Sequence, residues 1–297
     1  MNNLPLSWIY SPAGPNLIES LNLFRNHSIW LALIQSPEIN FIDEINKKYP
    51  NNKILIRGCD ESISNDLIKC GYKRINTGRE AVLNFNNNHF EKRSLKELIR
   101  RGSRHGKVLE YNYSDIIAGK LNLFKECTSH AKEPQLKYLF MTKFIEGMKL
   151  FTFENNKNEW LGAVMVSRNS KTKFHTELLL RKSNAPVGVM ETLIYNTFQK
   201  LKIYNTDEFS LGEVPFISFT NKNITNTKEF IVNSIGKLFH FAYNYKGLYN
   251  FKNKFNPCWK DIYLCGNPNI SLWDLFSLSN RTNFTRLMLY KLFSFNR

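Results

Sequence analysis

The order of predicted strands and helices between residues 149 and 212 constrains the fold of this chain more than any other feature. Two apolar segments of strand length flank the polar turn NKNE, which predicts a β-hairpin, and a third strand follows directly. A short loop, NAPVG, then leads into an amphipathic helix and one more strand. The predicted strands are Lys149–Asn155, Leu161–Asn169, Lys173–Arg181 and Glu208–Gly212, and the predicted helix is Val189–Ile203. A series of strands followed by a helix and then another strand predicts an α/β fold.

The first part of the chain shows a weaker version of the same alternation. Gly71 is placed to end a helix, and Ser114 is placed to cap the start of another. The predicted strands are Ser28–Gln35, Lys53–Gly58, Gly78–Phe85 and Lys107–Asn112, and the predicted helices are Asn16–Asn26, Ser62–Tyr72, Phe90–His105 and Ser114–Thr128. The whole chain is therefore expected to be built from α/β units.

Basic residues are unevenly distributed along the chain. The 41 Lys and Arg against 25 Asp and Glu give a net charge of +16, whereas residues 1–90 hold nine basic and eight acidic side chains, a net of +1. One basic cluster lies at 92–107 and a second, of four lysines, at 246–260. A single cluster is compatible with a solvated helix face. Two clusters favour an anionic partner, which could be a nucleic acid backbone, anionic lipid headgroups or a polyphosphate cofactor.

Composition and cysteine spacing disfavour several classes of protein. The 42% hydrophobic content is that of a globular chain, and no apolar run approaches the ~20 residues that cross a bilayer. The first residues lack the pattern of a secretory signal, which predicts a cytoplasmic protein. The five cysteines lack the spacing of a zinc site, so we expect free, buried thiols and no metal.

The order of elements resembles the core of a GNAT-like acyltransferase domain. The resemblance is clear in the second half of the chain and weaker in the first. It implies two such domains in tandem, with mixed, largely antiparallel sheets. The expected divisions are an N-terminal domain at 1–118, a catalytic domain at 119–268 and a basic amphipathic tail at 269–297.

Five ordered blocks of sequence resemble the phosphatidylglycerol lysyltransferase C-terminal domain family. The blocks are CGYKRINTGREAVLNF (70–85), LKELIRRGSRHGKVLEY (95–111), NAPVGVMETL (184–193), FSLGEVPF (209–216) and GLYNFKNKFNPCWKDIYL (247–264). The last of them resembles the closing signature of the family. From first to last the blocks span about two thirds of the chain.

The resemblance implies the transfer of an amino acid from an aminoacyl-tRNA to a lipid hydroxyl, usually of phosphatidylglycerol, without a cofactor. In the best-known members this domain follows a membrane-embedded region, which is expected to be absent here. The residues themselves disfavour CoA as the acyl donor. A CoA-binding loop holds pyrophosphate on glycine-rich backbone N–H groups, whereas NAPVG has one glycine and a proline that lacks an N–H.

Acyl transfer to a hydroxyl requires a group that accepts the proton and positive charge near the oxyanion. Glu177, which stands among apolar residues of a predicted strand, is the predicted proton acceptor, and the resemblance places it where the family has an Asp. Lys254 falls on a functional lysine of the family, and Arg181 lies one position after the usual arginine. Both are expected to stabilise negative charge. The alternative for Glu177 is a structural ion pair with Arg181.

Further residues of the second half are predicted to bind substrate. Lys252 lies close to Lys254 in sequence, and Tyr249 and Trp259 flank the two lysines. The aromatic rings suit a stacked adenine of the tRNA or a lipid-facing groove, although core packing and a solvated lysine pair are the alternatives. Glu213 lies at a strand end where GNAT-like folds open their cleft, at a position where the family has an apolar residue.

The basic helix supplies the predicted contacts to tRNA. Arg100, Arg101 and Arg104 are expected to bind its phosphates through the salt-sensitive attraction of basic clusters. His105 and His175 are alternative proton carriers by chemistry. A packed or surface role is the simpler explanation for both histidines.

The tail at 270–297 combines apolar residues with four basic residues and the single acid Asp274. This pattern predicts a pair of interfacial helices on an anionic leaflet, which would place the protein on the inner face of the cell membrane. The alternative is that the tail packs on the second domain. For the whole protein, the rival hypotheses are a CoA-dependent N-acyltransferase and a non-catalytic module that binds tRNA or membrane.

Overall fold

The computed structural model of the protein describes residues 4–11, 17–23, 28–36, 45, 47–217 and 244–294. These residues form strands β1 (Ile9–Tyr10), β2 (Leu17–Asn22), β3 (Ser28–Ser36), β4 (Lys53–Cys59), β5 (Lys73–Asn84), β6 (Lys107–Asn112), β7 (Lys149–Glu154), β8 (Trp160–Arg168), β9 (Lys173–Arg181), β10 (Glu208–Pro215) and β11 (Cys258–Asn267). They also form helices α1 (Glu61–Lys69), α2 (Arg93–Gly102), α3 (Asp115–Glu126), α4 (Val189–Leu201), α5 (Tyr245–Asn253), α6 (Leu272–Arg281) and α7 (Phe284–Ser294).

The eleven strands that the described residues form belong to one mixed sheet. Its order is β1-β3-β4-β11-β5-β10-β9-β8-β7-β6, and β2 pairs with β3 outside this path. The pairs β1–β3, β3–β4 and β9–β10 are parallel, and the remaining pairs are antiparallel. The predicted α/β class with mixed, largely antiparallel strands is therefore confirmed, and both halves of the chain share a continuous sheet.

The two halves are joined at the centre of the sheet. β5 and β10 pair along the junction, and β11, which is late in the sequence, lies between β4 and β5 of the first half. β6 pairs with β7 of the second half. Because pairing does not measure which segment folds by itself, the division at residue 118 stays a prediction.

Strand β8 shows why the second half forms a three-layer unit. Val164 and Val166 pack in the cluster that includes α4, whereas Ala163 and Met165 pack in the cluster that includes α3. Successive side chains of a strand point to opposite faces, so both faces of β8 are covered by helices. A strand that is covered on both faces has a continuous apolar sequence, and β8 has this pattern.

One predicted element is wrong. The sequence predicts a helix at Asn16–Asn26, but Leu17–Asn22 form β2, which pairs antiparallel with β3. Leu21 and Leu23 both pack at the cluster around Trp30, so the apolar residues follow the period of two of a strand. Pairing with β3 outweighs the local periodicity, as is common for strands, whose formation depends on their neighbours.

The five cysteines are free, as predicted, but burial is confirmed only for Cys59 and Cys265. Cys70, Cys127 and Cys258 are exposed, so the expected burial is wrong for these three. Cys70 directly follows the last residue of α1 and Cys127 the last residue of α3, where each helix ends at the surface.

Candidate active site

Two parallel strands separate near the centre of the sheet. β9 and β10 pair over Lys173–His175 and Glu208–Ser210, and no pair is formed beyond these residues. Gly212 lies at a bulge of β10 just past the last pair, with φ of +85°. Glycine adopts this left-handed backbone without the strain that a side chain would add, and a bulge bends its strand. The bend turns β10 away from β9 and opens a gap between them.

Lys252 of α5 fills this gap. Its Nζ lies 3.5 Å from the position of a methyl group on Gly212, and it donates to the carbonyl oxygen of Glu213 at 3.0 Å. The side chain is buried, and burial lowers the pKa of Lys252 to about 7. The Glu213 carboxylate is held by Arg57 and by the hydroxyl of Thr77 at 3.3 Å. The predicted substrate-binding residues Lys252 and Glu213 therefore lie inside the protein, with internal partners.

A second buried group of charges lies beside the gap. Lys173 Nζ contacts the Glu80 carboxylate at 2.8 Å, and His175 Nδ1 lies 3.1 Å from Ser210 Oγ. Burial lowers the pKa of His175 to about 3, so the imidazole is neutral in the cell. A neutral, buried His175 hydrogen-bonded to Ser210 is a packed histidine in this structure.

Glu177 lies in β9, where the pairing with β8 is irregular. The residue is 4% exposed, and its carboxylate accepts two hydrogen bonds of 2.6 Å, from Ser167 Oγ to Oε1 and from the backbone N–H of Met141 to Oε2. Burial raises the pKa of Glu177 to about 7, although both hydrogen bonds favour the carboxylate. A carboxyl group with a pKa near neutrality has the property that a general base or acid requires.

The three predicted catalytic residues have separate partners in the structure. Arg181 donates from Nη2 to the carbonyl oxygen of Ala185 at 2.5 Å, so the alternative of a Glu177–Arg181 ion pair is wrong. Lys254 is partly exposed and donates to Glu191 Oε1 at 2.8 Å. Glu191 lies in the first turn of α4, where the helix dipole favours a negative charge.

A concave surface borders Lys254. It has a volume of about 320 Å³ and lies between α2 and α5. Its lining residues are Lys92, Ser94, Leu95, Leu98, Asn250, Asn253 and Lys254. Two lysines and two amide side chains beside leucines suit a ligand that carries both polar and apolar groups.

Helix α2 lies directly across the N-terminus of α4. A methyl group on Gly102 would lie 2.2 Å from the carbonyl oxygen of Gly188, which is the N-cap of α4. The hydroxyl of Thr192 donates to the carbonyl oxygen of Ile99 at 3.0 Å. The C-terminal end of α2 therefore packs closely on the first turn of α4, which is the part of a helix that can hold a phosphate group.

The predicted tRNA contacts lie on the exposed side of the same helix. Arg100 and Arg101 are exposed, and both contact Glu97, at 2.8 and 3.0 Å. Arg104 is exposed in the 3-10 turn that follows, and within the described part of the chain it has no hydrogen-bond or ion-pair partner. His105 is exposed beside it. Such solvated pairs contribute little to stability, so these guanidinium groups are available to a polyanion.

Tyr249 and Trp259 contact each other. Their rings stack at 4.9 Å with an interplanar angle of 30°, and both residues are half-buried. Trp259 also packs against the cluster that includes α4, and its Nε1 lies 3.3 Å from Asn253 Oδ1. The pair thus takes part in packing while one side of it remains in contact with solvent.

The tail packs on the body and also exposes apolar side chains. Asp274 is buried and contacts Lys53 Nζ at 2.5 Å, and Leu278 packs in the cluster around Trp30. The tail therefore packs on the protein, but these contacts are with the first half of the chain, whereas the packing alternative expects contacts with the second domain. Seven large apolar residues, which we call the tail ridge, point away from the body. They are Leu272, Trp273, Phe276, Leu289, Tyr290, Leu292 and Phe293, between 38% and 67% exposed. None of the helices in the described ranges is long and apolar enough to span a bilayer.

Comparison with known proteins assigns the family. A family model described as phosphatidylglycerol lysyltransferase, C-terminal, matches residues 41–266. The chain belongs to this family. The family model covers the region that includes Glu177, Arg181 and Lys254, and the predicted resemblance is confirmed. Among curated proteins no sequence match is found.

Two solved structures share the fold. L-PGS from Bacillus licheniformis aligns with a TM-score of 0.69 at 16% identity, over 94% of this chain and 87% of that chain. The C-terminal domain of a protein described as a lysylphosphatidylglycerol synthetase from Agrobacterium fabrum aligns with a TM-score of 0.68 at 17% identity, over 91% of this chain and 87% of that chain. At these identities the likeness shows the fold alone.

Three residues of the site were missed by reasoning from sequence. Glu191 had a usable signal, because it falls in the first turn of a predicted helix directly after NAPVG. Ser167 could be found only from the register of β8 against β9. Met141 lies in a long segment without helix or strand and acts through its backbone N–H, which carries no sequence signal. In the described ranges, no group of three or more potential metal-ligating side chains comes together.

Proposed function

We propose that this chain transfers an amino acid from an aminoacyl-tRNA to a hydroxyl group of a membrane lipid such as phosphatidylglycerol. Membership of the phosphatidylglycerol lysyltransferase C-terminal family supports a transferase that acts on lipid. The observation that carries the catalytic part is the buried carboxyl group of Glu177, with its pKa of about 7. At neutral pH part of such a carboxyl group's population is ionised, and the ionised form can accept a proton from the hydroxyl.

In the proposed reaction, Glu177 accepts the proton of the lipid hydroxyl as the oxygen attacks the ester carbonyl of the aminoacyl-tRNA. The tetrahedral intermediate carries a negative oxygen, which the cations of Lys254 and Arg181 stabilise. The C–O bond to the tRNA ribose then breaks, and the ribose oxygen takes the proton from Glu177. Glu177, Arg181 and Lys254 have separate partners in the structure: Met141, which bonds Glu177, packs with α3, whereas Glu191, which bonds Lys254, lies in α4. The proposed reaction therefore requires that substrate binding rearrange these contacts and bring the three groups to one ester.

The placement of α2 supports a donor other than CoA. Gly102 packs closely on Gly188 at the N-terminus of α4, where GNAT-type loops hold pyrophosphate, and we infer that this packing disfavours CoA. CoA is therefore expected to leave the melting temperature unchanged. A CoA-dependent rise in melting temperature would favour the rival N-acyltransferase.

The exposed arginines support tRNA as the donor. Arg100 and Arg101 of α2 and Arg104 of the following 3-10 turn present positive charge on the surface, and α2 also borders the concave surface next to Lys254. Phosphates bound along α2 would bring the acceptor end of the tRNA towards this surface. The half-exposed pair of Tyr249 and Trp259 offers an aromatic face for a terminal adenine.

The tail ridge supports contact with a membrane. Exposed apolar residues beside Arg281, Arg286 and Lys291 form the combination that binds at the interface of an anionic leaflet. Charged tRNAs are present in the cytoplasm, so the proposed reaction takes place at the inner face of the cell membrane. There the protein is peripheral, held by the ridge.

The test is incubation of the protein with a mixture of charged tRNAs and phosphatidylglycerol vesicles, followed by mass spectrometry of the lipids. We expect aminoacylated lipid from the wild type and at least about 100-fold slower transfer by Glu177→Gln, the usual effect of removing a general base. Glu126→Gln, an exposed carboxylate on α3, is the matched control. If no charged tRNA is consumed with any acceptor, the chain is instead a non-catalytic binding module.

A further inference from the structure

The segment between α3 and β7 covers Glu177. Residues 130–141 of this segment, which we call the cover, contain neither helix nor strand and end at Met141, whose N–H donates to the Glu177 carboxylate. Glu177 is 4% exposed with the cover in this position. Any substrate that touches the Glu177 carboxylate must first displace the cover.

The same segment is fastened to the tail. The backbone N–H of Lys137 donates to the carbonyl oxygen of Thr282 at 3.1 Å, and the Asn283 side chain donates to the carbonyl oxygen of Gln135 at 2.9 Å. Two ionised side chains complete the connection, since Lys291 of α7 pairs with Glu133 of the cover. The tail helices therefore help to hold the cover in place, together with Tyr138 and Leu139, which pack on the cluster around Trp30.

Between the cover and α7 lies an open concave surface of about 490 Å³. Its lining residues are Lys132, Glu133 and Pro134 of the cover, and Asn283, Arg286, Leu289 and Tyr290 of the tail. Lys132 and Arg286 are exposed, and within the described residues neither has a hydrogen-bond or ion-pair partner. Leu289 and Tyr290 belong to the tail ridge. The surface thus combines two unpaired cations with apolar groups.

We propose that this concave surface is a lipid site separate from the acceptor site, and that it takes the phosphate headgroup of an anionic phospholipid of the leaflet. Its occupation releases the cover from α7 and so uncovers Glu177. This inference rests on the proposed function in one respect: Glu177 is taken as the reactive carboxyl group.

Charge explains how an anion in this site would release the cover. A phosphate between Lys132 and Arg286 lies beside the Glu133 carboxylate, and like charges repel. The phosphate also competes with Glu133 for Lys291, because ammonium groups bind either anion. Loss of the Glu133–Lys291 pair removes the only ion pair in the described residues between the cover and α7. The contacts to Thr282 and Asn283 and the packing of Tyr138 and Leu139 near Trp30 then hold the cover less firmly than before. The apolar ridge then stays in the leaflet while the cover moves.

Hydrogen exchange at the Met141 amide measures the position of the cover without any need for catalysis. This amide is protected by its bond to Glu177, so opening exposes it. We expect phosphatidylglycerol vesicles to raise its exchange about tenfold, the effect of losing a charge-assisted contact, and phosphatidylcholine vesicles to have no effect. Arg286→Gln should abolish the rise. Arg281→Gln, at an exposed arginine that also lies beside the tail ridge but does not line the concave surface, should retain it.

The outcomes separate this proposal from the proposed function. Unchanged Met141 exchange with phosphatidylglycerol vesicles overturns it, and so does an equal rise in Arg286→Gln. An equal rise with soluble glycerol 3-phosphate at the same phosphate concentration overturns the assignment to a lipid of the leaflet. Because exchange needs no tRNA, a protein that transfers no amino acid but shows the Arg286-dependent rise keeps the headgroup site and loses the proposed reaction.

Discussion

At the scale of single residues, Glu177 links the chemistry of the site to the stability of the fold. Its pKa is about 7 in the folded protein and near 4.5 in the unfolded chain, so the folded protein binds the proton more tightly. Stability from this group is fully present below the unfolded pKa and is lost as the pH rises through the folded pKa. The window for this loss is pH 4.5 to 7.

Glu177→Gln therefore changes the pH dependence of stability. Between pH 4.5 and 7.5 the free energy of unfolding of the wild type should fall relative to that of the variant by about 3 kcal/mol, since each pH unit of the window contributes about 1.4 kcal/mol. Urea denaturation across this range measures the difference. Glu126→Gln, on the surface, should keep a constant offset from the wild type, and a constant offset in Glu177→Gln would contradict the prediction.

Lys252 should produce the opposite trend at higher pH. Burial lowers its pKa to about 7 from an ordinary value near 10.5, so the unfolded chain binds the proton more tightly and stability rises with pH between these values. Lys252→Met removes this contribution. From pH 7 to 9 the wild type should gain about 1.4 kcal/mol per pH unit relative to the variant. The exposed Lys107→Met is the control, and parallel curves for wild type and Lys252→Met would show that the amine is hydrated.

The sequence indicates the apolar surroundings of Glu177 better than it indicates the contacts of its carboxylate. Glu177 could be named because a carboxylate in an apolar strand is unusual, and the structure shows it buried with a raised pKa. Its partners come from other segments: Ser167 depends on strand register, and Met141 on how a long segment folds back. Lys252 and Lys254 are two residues apart in sequence. Lys252 lies in the last turn of α5 and is buried at the gap in the sheet, whereas Lys254 follows the end of the helix and is partly exposed.

At the scale of elements, the contact between α2 and α4 depends on two glycines. A methyl group on Gly102 would lie 2.2 Å from the carbonyl oxygen of Gly188, and a backbone atom cannot move away as a side-chain end can. Gly102→Ala should therefore lower the free energy of unfolding by about 2 kcal/mol or more, as overpacking does.

Gly119 provides the matched control for this contact. It lies within α3, and an added methyl group would meet no atom within 4 Å. Gly119→Ala should stabilise the protein by about 1 kcal/mol, the difference in helix propensity between the two residues. Thermal denaturation of both variants measures the contrast. Equal effects of the two substitutions would show that α2 does not press on α4.

The elements that the sequence predicts well are those with strong internal patterns. β7, β8, β9 and α4 lie within two or three residues of their predicted bounds, because their apolar runs and turn residues agree with their tertiary positions. β2 was predicted wrongly because an edge strand has only one neighbour in the sheet to define it, and that neighbour is not visible in local sequence. The crossing of α2 over α4 likewise depends on contact between distant segments.

At the scale of the whole molecule, the tail has two faces with different roles. Ile270, Asp274 and Leu278 are buried against the body, so removal of the tail would expose part of the core around Trp30. A deletion would therefore combine loss of folding with loss of any membrane contact. Substitutions on the tail ridge separate the two effects, because its side chains are exposed.

Trp273→Ser combined with Phe276→Ser should weaken binding to phosphatidylglycerol vesicles at least tenfold and leave the melting temperature unchanged. Both side chains are more than half exposed in the absence of a membrane, so their removal costs little folding energy, whereas each would bury its apolar surface in a leaflet. Vesicle sedimentation measures the binding, and Ile116→Ser, an even more exposed apolar residue on α3, is the control. Salt should weaken wild-type binding, because basic residues flank the ridge. Unchanged binding of the double variant would show that Trp273 and Phe276 do not insert into the leaflet.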